Sequence, residues 1–310
     1  MGQGIVTVVG SYVTDLMSRT PHMPRVGETV LGGPFKMGPG GKGGNQAVAA
    51  ARQGSMVYMV SKVGDDEFGV YARANFTKEH IITEYVFVNT EESTGAALIA
   101  VDDNGDNMIV VALGACGKLT ASEVAQASGA IRISTVVLVQ LETSTEAVVQ
   151  TVAAAKNYGV PVILNPAPYH EFPREILKDI TYITPNETEA CSLTGVQVDN
   201  EEDALRAAKI MYDMGVPNVL ITLGKKGCYF YNGGETGLLY SGFEVQAVDT
   251  TGAGDAFNGG LAYALAAGQE LDDAIVYANA VAALSVTKVG TAPAMPTKEE
   301  VDAFLVERMR

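Results

Sequence analysis

Short β-branched runs alternate with alanine-rich stretches of helical length along most of this chain, and that rhythm admits few folds. IVTVVG (5–10), SMVYMVSKVG (55–64), TVVLVQLE (135–142), VPVILNPAP (160–168), ITYITPNETE (180–189) and VPNVLITLG (216–224) each contain a strand pattern. Between them NQAVAAARQG (45–54), a polar segment near 66–80, STEAVVQTVAAAKNYG (144–159) and EEDALRAAKIMYDMG (201–215) read as helices. Strands that are apolar throughout must be buried on both faces, and a helix between successive strands lets them run parallel. The expected fold class is α/β, a doubly wound and mostly parallel sheet covered by helices on both sides.

Two segments break the rhythm. GETVLGGPFKMGPGG (27–41) and STGAALIAVDDNGDNMIVVALGA (93–115) have no helix beside them, and Asn104-Gly105 between two apolar runs is a hairpin signal. These pieces, within roughly 12–44 and 93–115, are expected to form a small antiparallel β lid inserted into a single domain covering 1–310. A two-faced lid must bury one face on something, so the same apolar residues suit a homodimer contact.

Composition removes several function classes. A net charge of -15 without a basic cluster argues against nucleic acid or an anionic membrane as partner. No run of 18 apolar residues and no basic leader with a cleavage site appears, which reads as a cytoplasmic protein. Cys116, Cys191 and Cys228 are odd in number and widely spaced, and His22, His80 and His170 are isolated, so neither a disulfide framework nor a zinc site is expected. A G-x-S-x-G elbow is also absent.

Three motifs carry chemistry. The first, 38-GPGGKGGNQAVAAA-51, contains Gly38-x-Gly40-x-x-Gly43 with Asp65 and Asp66 some twenty residues on, formally a dinucleotide fingerprint. The preceding GGPFK is not a buried strand, and Lys42 is followed by Gly43 rather than Ser or Thr, so neither that fingerprint nor a Walker A loop is satisfied. What remains is a flexible backbone bearing Lys42 and Asn45 at a helix start, with the amides of Gly41 to Asn45 expected free to approach a polyhydroxylated ligand.

The second motif is 184-TPNETEACSLTG-195, where Asn186, Glu187 and Glu189 fall in the first turn of a helix. Capping explains much of this, and a functional reading has Asn186 and Glu189 ordering Mg²⁺, directly or through water, beside a phosphate. The third is 249-DTTGAGDAFNGG-260. Gly252, Ala253 and Gly254 are expected to leave three bare amides at a helix start spanning 255–268, an anion hole reinforced by the helix dipole. Asp255 then stands where a reacting group would bind. A carboxylate is a weak base, which suffices for phosphoryl transfer because positioning and charge stabilisation dominate and the acceptor proton leaves late.

Taken together, GGKGGN (40–45), TPNETE (184–189) and DTTGAGDAFNGG (249–260) resemble the ribokinase branch of the PfkB carbohydrate kinase family, in the family's order and over essentially the whole chain, from GSYVTD to VTKVGTAPAMP. The resemblance implies an ATP-dependent sugar kinase acting on a primary hydroxyl, with Asp255 as catalytic base and Gly252, Ala253 and Gly254 as anion hole. It implies Mg²⁺ and phosphate contacts from Asn186 and Glu189, and a sugar pocket using Asp15, Gly41, Lys42, Asn45 and Glu142. Thr222, Gly224 and Gly227 resemble the nucleotide-binding loop and Asn279 an adenine-side contact. A monovalent cation, K⁺, is implied beside the anion hole at Asp249, Thr251, Ser285, Lys288 and Gly290, many of its ligands being backbone carbonyls. Ala294 stands where ribokinases often have a serine.

One departure bears on the substrate. At 10-GSYVTD-15 the family's ribokinases read G-S-x-N-x-D, and Val13 replaces the asparagine. Valine cannot hydrogen-bond, so a hydroxyl buried against it loses roughly 1–3 kcal/mol. An apolar residue here resembles deoxyribokinase-like members, which makes 2-deoxyribose the leading alternative to ribose. Nucleoside kinases and fructokinases share the fold, and Tyr12 beside Val13 also suits a stacked base. From other classes, a nicotinamide dehydrogenase built on 38–43 and a sugar sensor derived from a kinase are the rivals.

Overall fold

The computed structural model describes residues 3–308. In chain order, β1 (Ile5–Val9), β2 (Val13–Arg19) and β3 (Phe35–Gly40) precede α1 (Lys42–Arg52), β4 (Met56–Gly64), α2 (Glu67–Lys78) and β5 (Ile82–Asn89). Then come β6 (Thr94–Val101), β7 (Asn107–Gly114), α3 (Ala121–Gln126), α4 (Ser128–Ile133), β8 (Val136–Gln140), α5 (Thr145–Tyr158) and β9 (Val162–Asn165). β10 (Tyr182–Ile183), α6 (Glu187–Thr194), α7 (Glu201–Asp213), β11 (Asn218–Thr222), β12 (Gly227–Tyr231) and β13 (Leu238–Ser241) follow, and α8 (Ala253–Ala266), α9 (Leu271–Ser285) and α10 (Lys298–Arg308) close the chain.

The main sheet has nine strands in the order β13-β12-β11-β10-β9-β8-β1-β4-β5. From β11 to β5 every pairing is parallel, and β12 and β13 add an antiparallel edge. β8 is buried at all five positions, as its unbroken apolar run predicts, and separate apolar clusters fill the two faces of the sheet. Ends are set locally: the Ser144 side chain accepts from the Ala147 amide to start α5, and Gly159 in the left-handed region ends it.

Strand order runs outward from β1 through β4 and β5 on one side and from β8 on the other, so the crevice at the carboxyl ends of β1 and β8 is the topological switch point. α1 and α8 meet above it. They approach closely because Gly259 has no side chain; a Cβ there would lie 2.4 Å from Ala49 Cβ.

The lid is a four-stranded sheet in the order β3-β2-β6-β7. It consists of two antiparallel pairs, β2–β3 and β6–β7, joined by a parallel β2–β6 pairing, so it is a mixed sheet built from antiparallel halves. The Asn104-Gly105 turn links β6 and β7 as the dipeptide predicts, with the Asp102 carboxylate accepting from the Asn104 and Asp106 amides. Residues 42–44, expected at the lid's margin, form the first turn of α1 instead.

Candidate active site

α8 begins where the sequence places a helix start, two residues early. Its N-cap, Gly252, has φ 80°, a left-handed conformation that glycine adopts without cost. Ala253 donates to the Thr250 carbonyl, and the amides of Gly254 and Asp255 have no acceptor in the protein. The expected three bare amides at 252–254 are therefore corrected to a set that excludes Ala253, and Asp255's own amide joins it. Asn258 donates from Nδ2 to the Gly254 carbonyl at 2.8 Å, clamping the peptide whose N–H belongs to Asp255.

Asp255 is buried, and both of its carboxylate oxygens are held from α1. Asn45 Nδ2 donates to Oδ2 and Gln46 Nε2 donates to Oδ1, each at 2.9 Å. Asn45 keeps a buried Oδ1 without a partner, an acceptor suited to a ligand hydroxyl.

The N-terminus of α1 differs from that of α8 in one respect that overturns an expectation. Lys42 N–H donates to Glu142 Oε2 at 2.7 Å, Gly43 N–H to Ser11 Oγ at 3.4 Å, Gly44 N–H to the Ser11 carbonyl, and Asn45 N–H to the Gly41 carbonyl. The amides of 42–45 are thus spent within the protein rather than free for a ligand. Glu142, just beyond β8, supplies the negative charge this helix end attracts and also accepts from the Ser11 hydroxyl.

Lys42 also lines a cleft of about 160 Å³, together with Asn186, Glu189, Thr222 and Gly252 to Asp255. Burial disfavours its charge, and the carboxylates of Asp255, Glu142 and Glu189 outweigh that, holding its pKa above the ordinary lysine value. Lys42 therefore shares its cleft with the N-terminus of α8 as well as with Glu189.

Asp15 and Val13 lie two residues apart in β2 and share one face of the lid. Burial raises the Asp15 carboxyl to about 6, Thr291 donating to it pulls it down, and the Glu142 and Asp255 charges push it up. Val13 is 2% exposed.

Asn186 and Glu189 form a capping box at the start of α6. Asn186 Oδ1 accepts from the Glu189 amide at 2.8 Å and Glu189 Oε2 accepts from the Asn186 amide at 2.9 Å. Asn186 thus spends its oxygen on the cap, and the second oxygen of Glu189 is what the pair offers to the cleft. Burial raises the Glu189 carboxyl above the usual range, against the Asn186 amide and Lys42. Among the described residues no cluster of three or more His, Cys, Asp or Glu side chains could hold a metal by itself.

Thr222 ends β11 on the cleft wall, and Gly224 and Gly227 bracket the 3₁₀ turn that follows. Asn279 lies buried in α9 with its amide donating to the Tyr240 carbonyl at 3.1 Å, which ties α9 to β13. Beyond the anion hole, Asp249 accepts from the amides of Thr251 at 3.0 Å and Gly290 at 2.9 Å. Burial opposes its charge, and those amides outweigh burial and hold the carboxyl below the usual range. The Ser285 hydroxyl donates to the Ala282 carbonyl and Lys288 pairs with Glu300 at 2.6 Å, so neither side chain joins Asp249.

The dinucleotide alternative loses its context. Gly38 and Gly40 lie in lid strand β3, and Asp66 caps α2 while its carboxylate accepts from the Thr94 amide and hydroxyl.

The match of residues 5–298 to the model of the pfkB family carbohydrate kinases decides the matter. The chain belongs to the pfkB family. It is a carbohydrate kinase, a phosphotransferase with an alcohol as acceptor. Among its pfkB relatives is a ribokinase of Haemophilus influenzae, 43% identical over 300 residues, covering 97% of this chain and 98% of that one. A deoxyribokinase of Salmonella typhi is 36% identical over 301 residues, covering 97% and 98%. The structure of Arabidopsis thaliana ribokinase complexed with ribose and ATP superposes with a TM-score of 0.90 at 31% identity, covering 98% of this chain and 99% of that one.

Proposed function

We propose that this pfkB kinase transfers the γ-phosphoryl group of ATP to the primary hydroxyl of a pentose, with ribose and 2-deoxyribose as its sugars. The carrying observation is the junction of α1 and α8. An open helix N-terminus, a lysine and a doubly held carboxylate meet there in a cleft whose other wall carries Asn186, Glu189 and Thr222.

In this reading the sugar sits between Asp15, Asn45 Oδ1 and the free oxygen of Glu142, with Val13 against its ring. Its primary hydroxyl faces Asp255. The γ-phosphate of ATP occupies the amides of Gly254 and Asp255, with Lys42 neutralising charge. Asp255 takes the hydroxyl proton as the sugar oxygen bonds to phosphorus, the bond to the bridging oxygen breaks, and ADP leaves. Mg²⁺ neutralises the phosphates when it arrives with ATP, and the free oxygen of Glu189 would hold it or its waters. Thr222 and the turn after it flank the nucleotide, while Asn279 shapes that side indirectly by holding β13.

A monovalent cation, K⁺, is proposed beside the anion hole. The support is Asp249, which pins the 249–251 and 285–290 segments together and orders their carbonyls. We further propose a homodimer through the lid, because edge strand β7 exposes both faces, with Met108 and Val110 at 60% and 65% exposure beside Leu98 on β6. Among the described residues no helix is long and apolar enough to cross a membrane, which supports placing the enzyme in the cytoplasm with its ATP.

The test is ATP consumption with Mg²⁺ and K⁺ against ribose, 2-deoxyribose, fructose and several nucleosides, compared as kcat/KM. Activity confined to a nucleoside or a hexose would refute the pentose pocket, and sugar binding without turnover would favour a sensor.

A further inference from the structure

The residue after Asn45 in α1 is Gln46, whose side chain is fully shielded from solvent (0% exposed) and lies among other buried amides. Its Nε2 donates to Asp255 Oδ1 at 2.9 Å and to Asn165 Oδ1 at 3.0 Å, and its Oε1 accepts from Gln140 Nε2 at 2.6 Å. Asn165 passes the chain on, donating from Nδ2 to the Thr184 carbonyl at 2.9 Å. The Thr184 hydroxyl donates to Asn258 Oδ1, whose Nδ2 clamps the Gly254 peptide of the anion hole.

Each amide in this chain has only one workable orientation. Turning Gln46 over would set its oxygen against two acceptors, Asp255 and Asn165, and its nitrogen against the Gln140 nitrogen. The cost of a buried unmatched group holds the arrangement in place. Gln46 itself lies outside the cleft lining and reaches it through two residues that do line it, Asp255 and Asn165. Its one direct contact with a proposed reacting group is with the Asp255 carboxylate, while the route through Asn165, Thr184 and Asn258 is three residues longer.

We infer that Gln46, braced by Gln140 and Asn165, is a positioning residue that fixes the plane of the Asp255 carboxylate toward the acceptor hydroxyl and links that orientation to the anion hole through Asn258. This rests on the kinase reading of the site. Asn45 alone would hold one oxygen and leave the carboxylate to rotate about that contact. Two donors from one helix turn leave it a single orientation.

The test is steady-state kinetics of the full-length enzyme with ribose or 2-deoxyribose, using Gln46→Met, which keeps length and loses the donor. It is measured alone and in the Asp255→Ala background. Gln46→Met should lower kcat about 10- to 100-fold, the penalty of a misaligned reacting group, with both KM values within about twofold. In the Asp255→Ala background the same change should alter the residual rate by less than about twofold, since residues acting as a unit are not additive. Equal losses in both backgrounds, or a loss confined to KM, would overturn the inference. Should Gln46→Met fail to fold, Gln140→Met, which removes the brace on the Gln46 oxygen, takes its place with the same split expected. A wild-type enzyme inactive on every pentose defeats the pentose reading instead, and that outcome is seen before any variant is made.

Discussion

Thr291 donates to Asp15 Oδ2 across 3.3 Å and to the Pro39 carbonyl across 3.2 Å, joining two lid strands to the segment that follows α9. Asp15 is thus a lid residue whose charge is governed by the body of the enzyme. Its folded pKa of about 6 lies above the ordinary 3.8, so the protonated form is the one the fold favours. This group therefore contributes stability at low pH that is lost as pH rises from about 4 through about 6. Sugar hydroxyls need the ionised carboxylate as acceptor, which gives the opposite trend for binding. KM for the sugar should rise as pH falls below about 6, and Asp15→Asn should bind weakly at all pH values with that dependence removed. An unchanged pH profile in the variant would assign the effect to another group.

Replacing Asp255 by alanine removes the proposed base and leaves the proposed sugar partners in place. Turnover should fall about 10²- to 10⁴-fold while the sugar dissociation constant, read by calorimetry, moves little. Near-normal turnover would remove Asp255 from the mechanism.

Val13 is the residue expected to set ribose against 2-deoxyribose. Val13→Asn introduces a partner for a sugar hydroxyl and should move the ratio of kcat/KM toward ribose by about 5- to 150-fold, the equivalent of roughly 1–3 kcal/mol. A ratio that stays put would show that Val13 does not face the differing hydroxyl.

The closest helix contact in the site offers a structural test. In Gly259→Ala the new methyl would lie 2.4 Å from Ala49 Cβ and 2.6 Å from the Gln46 carbonyl, forcing α1 and α8 apart. Overpacking of this kind costs about 1–3 kcal/mol. The variant should therefore melt lower than wild type, and kcat should fall more than either KM changes because Asn45 and Gln46 move off Asp255. Loss of stability with kcat intact would mean that the carboxylate does not depend on this contact.

For the lid, Val110→Asp places a charge on an apolar edge strand. Sedimentation should show the proposed dimer dissociating into monomers. A wild-type protein that sediments as a monomer at all concentrations would dispose of the dimer.

Much of this architecture is legible in the chain because its signals are local. The apolar runs give the parallel strands, Asn104-Gly105 gives the lid turn, and Asn186 with Glu189 gives a capping box three residues apart. β12 and β13 escape notice because Cys228 to Tyr231 and Leu238 to Ser241 are too short to show a period, so the Asn232-Gly233 pair in their turn has no alternating run on either side to mark it as a hairpin. The amides at the start of α1 are misjudged because the acceptors of the first three are remote, Glu142 lying 100 residues from Lys42 and Ser11 32 residues from Gly43. Gln46 gives no sign of its role, since a polar residue near a helix start usually faces water. Only the meeting of α1 with α8 puts it against Asp255, 209 residues away.

The two helix ends that meet at the cleft are already unlike before a substrate arrives. One has its first amides taken by Glu142 and Ser11, and the other has amides left over. A sugar phosphate that turned round in the pocket would bring its dianion against Glu142 and Asp15 instead of the amides of α8. Reversed binding is therefore disfavoured, so the asymmetry fixes which way round a phosphorylated sugar can lie.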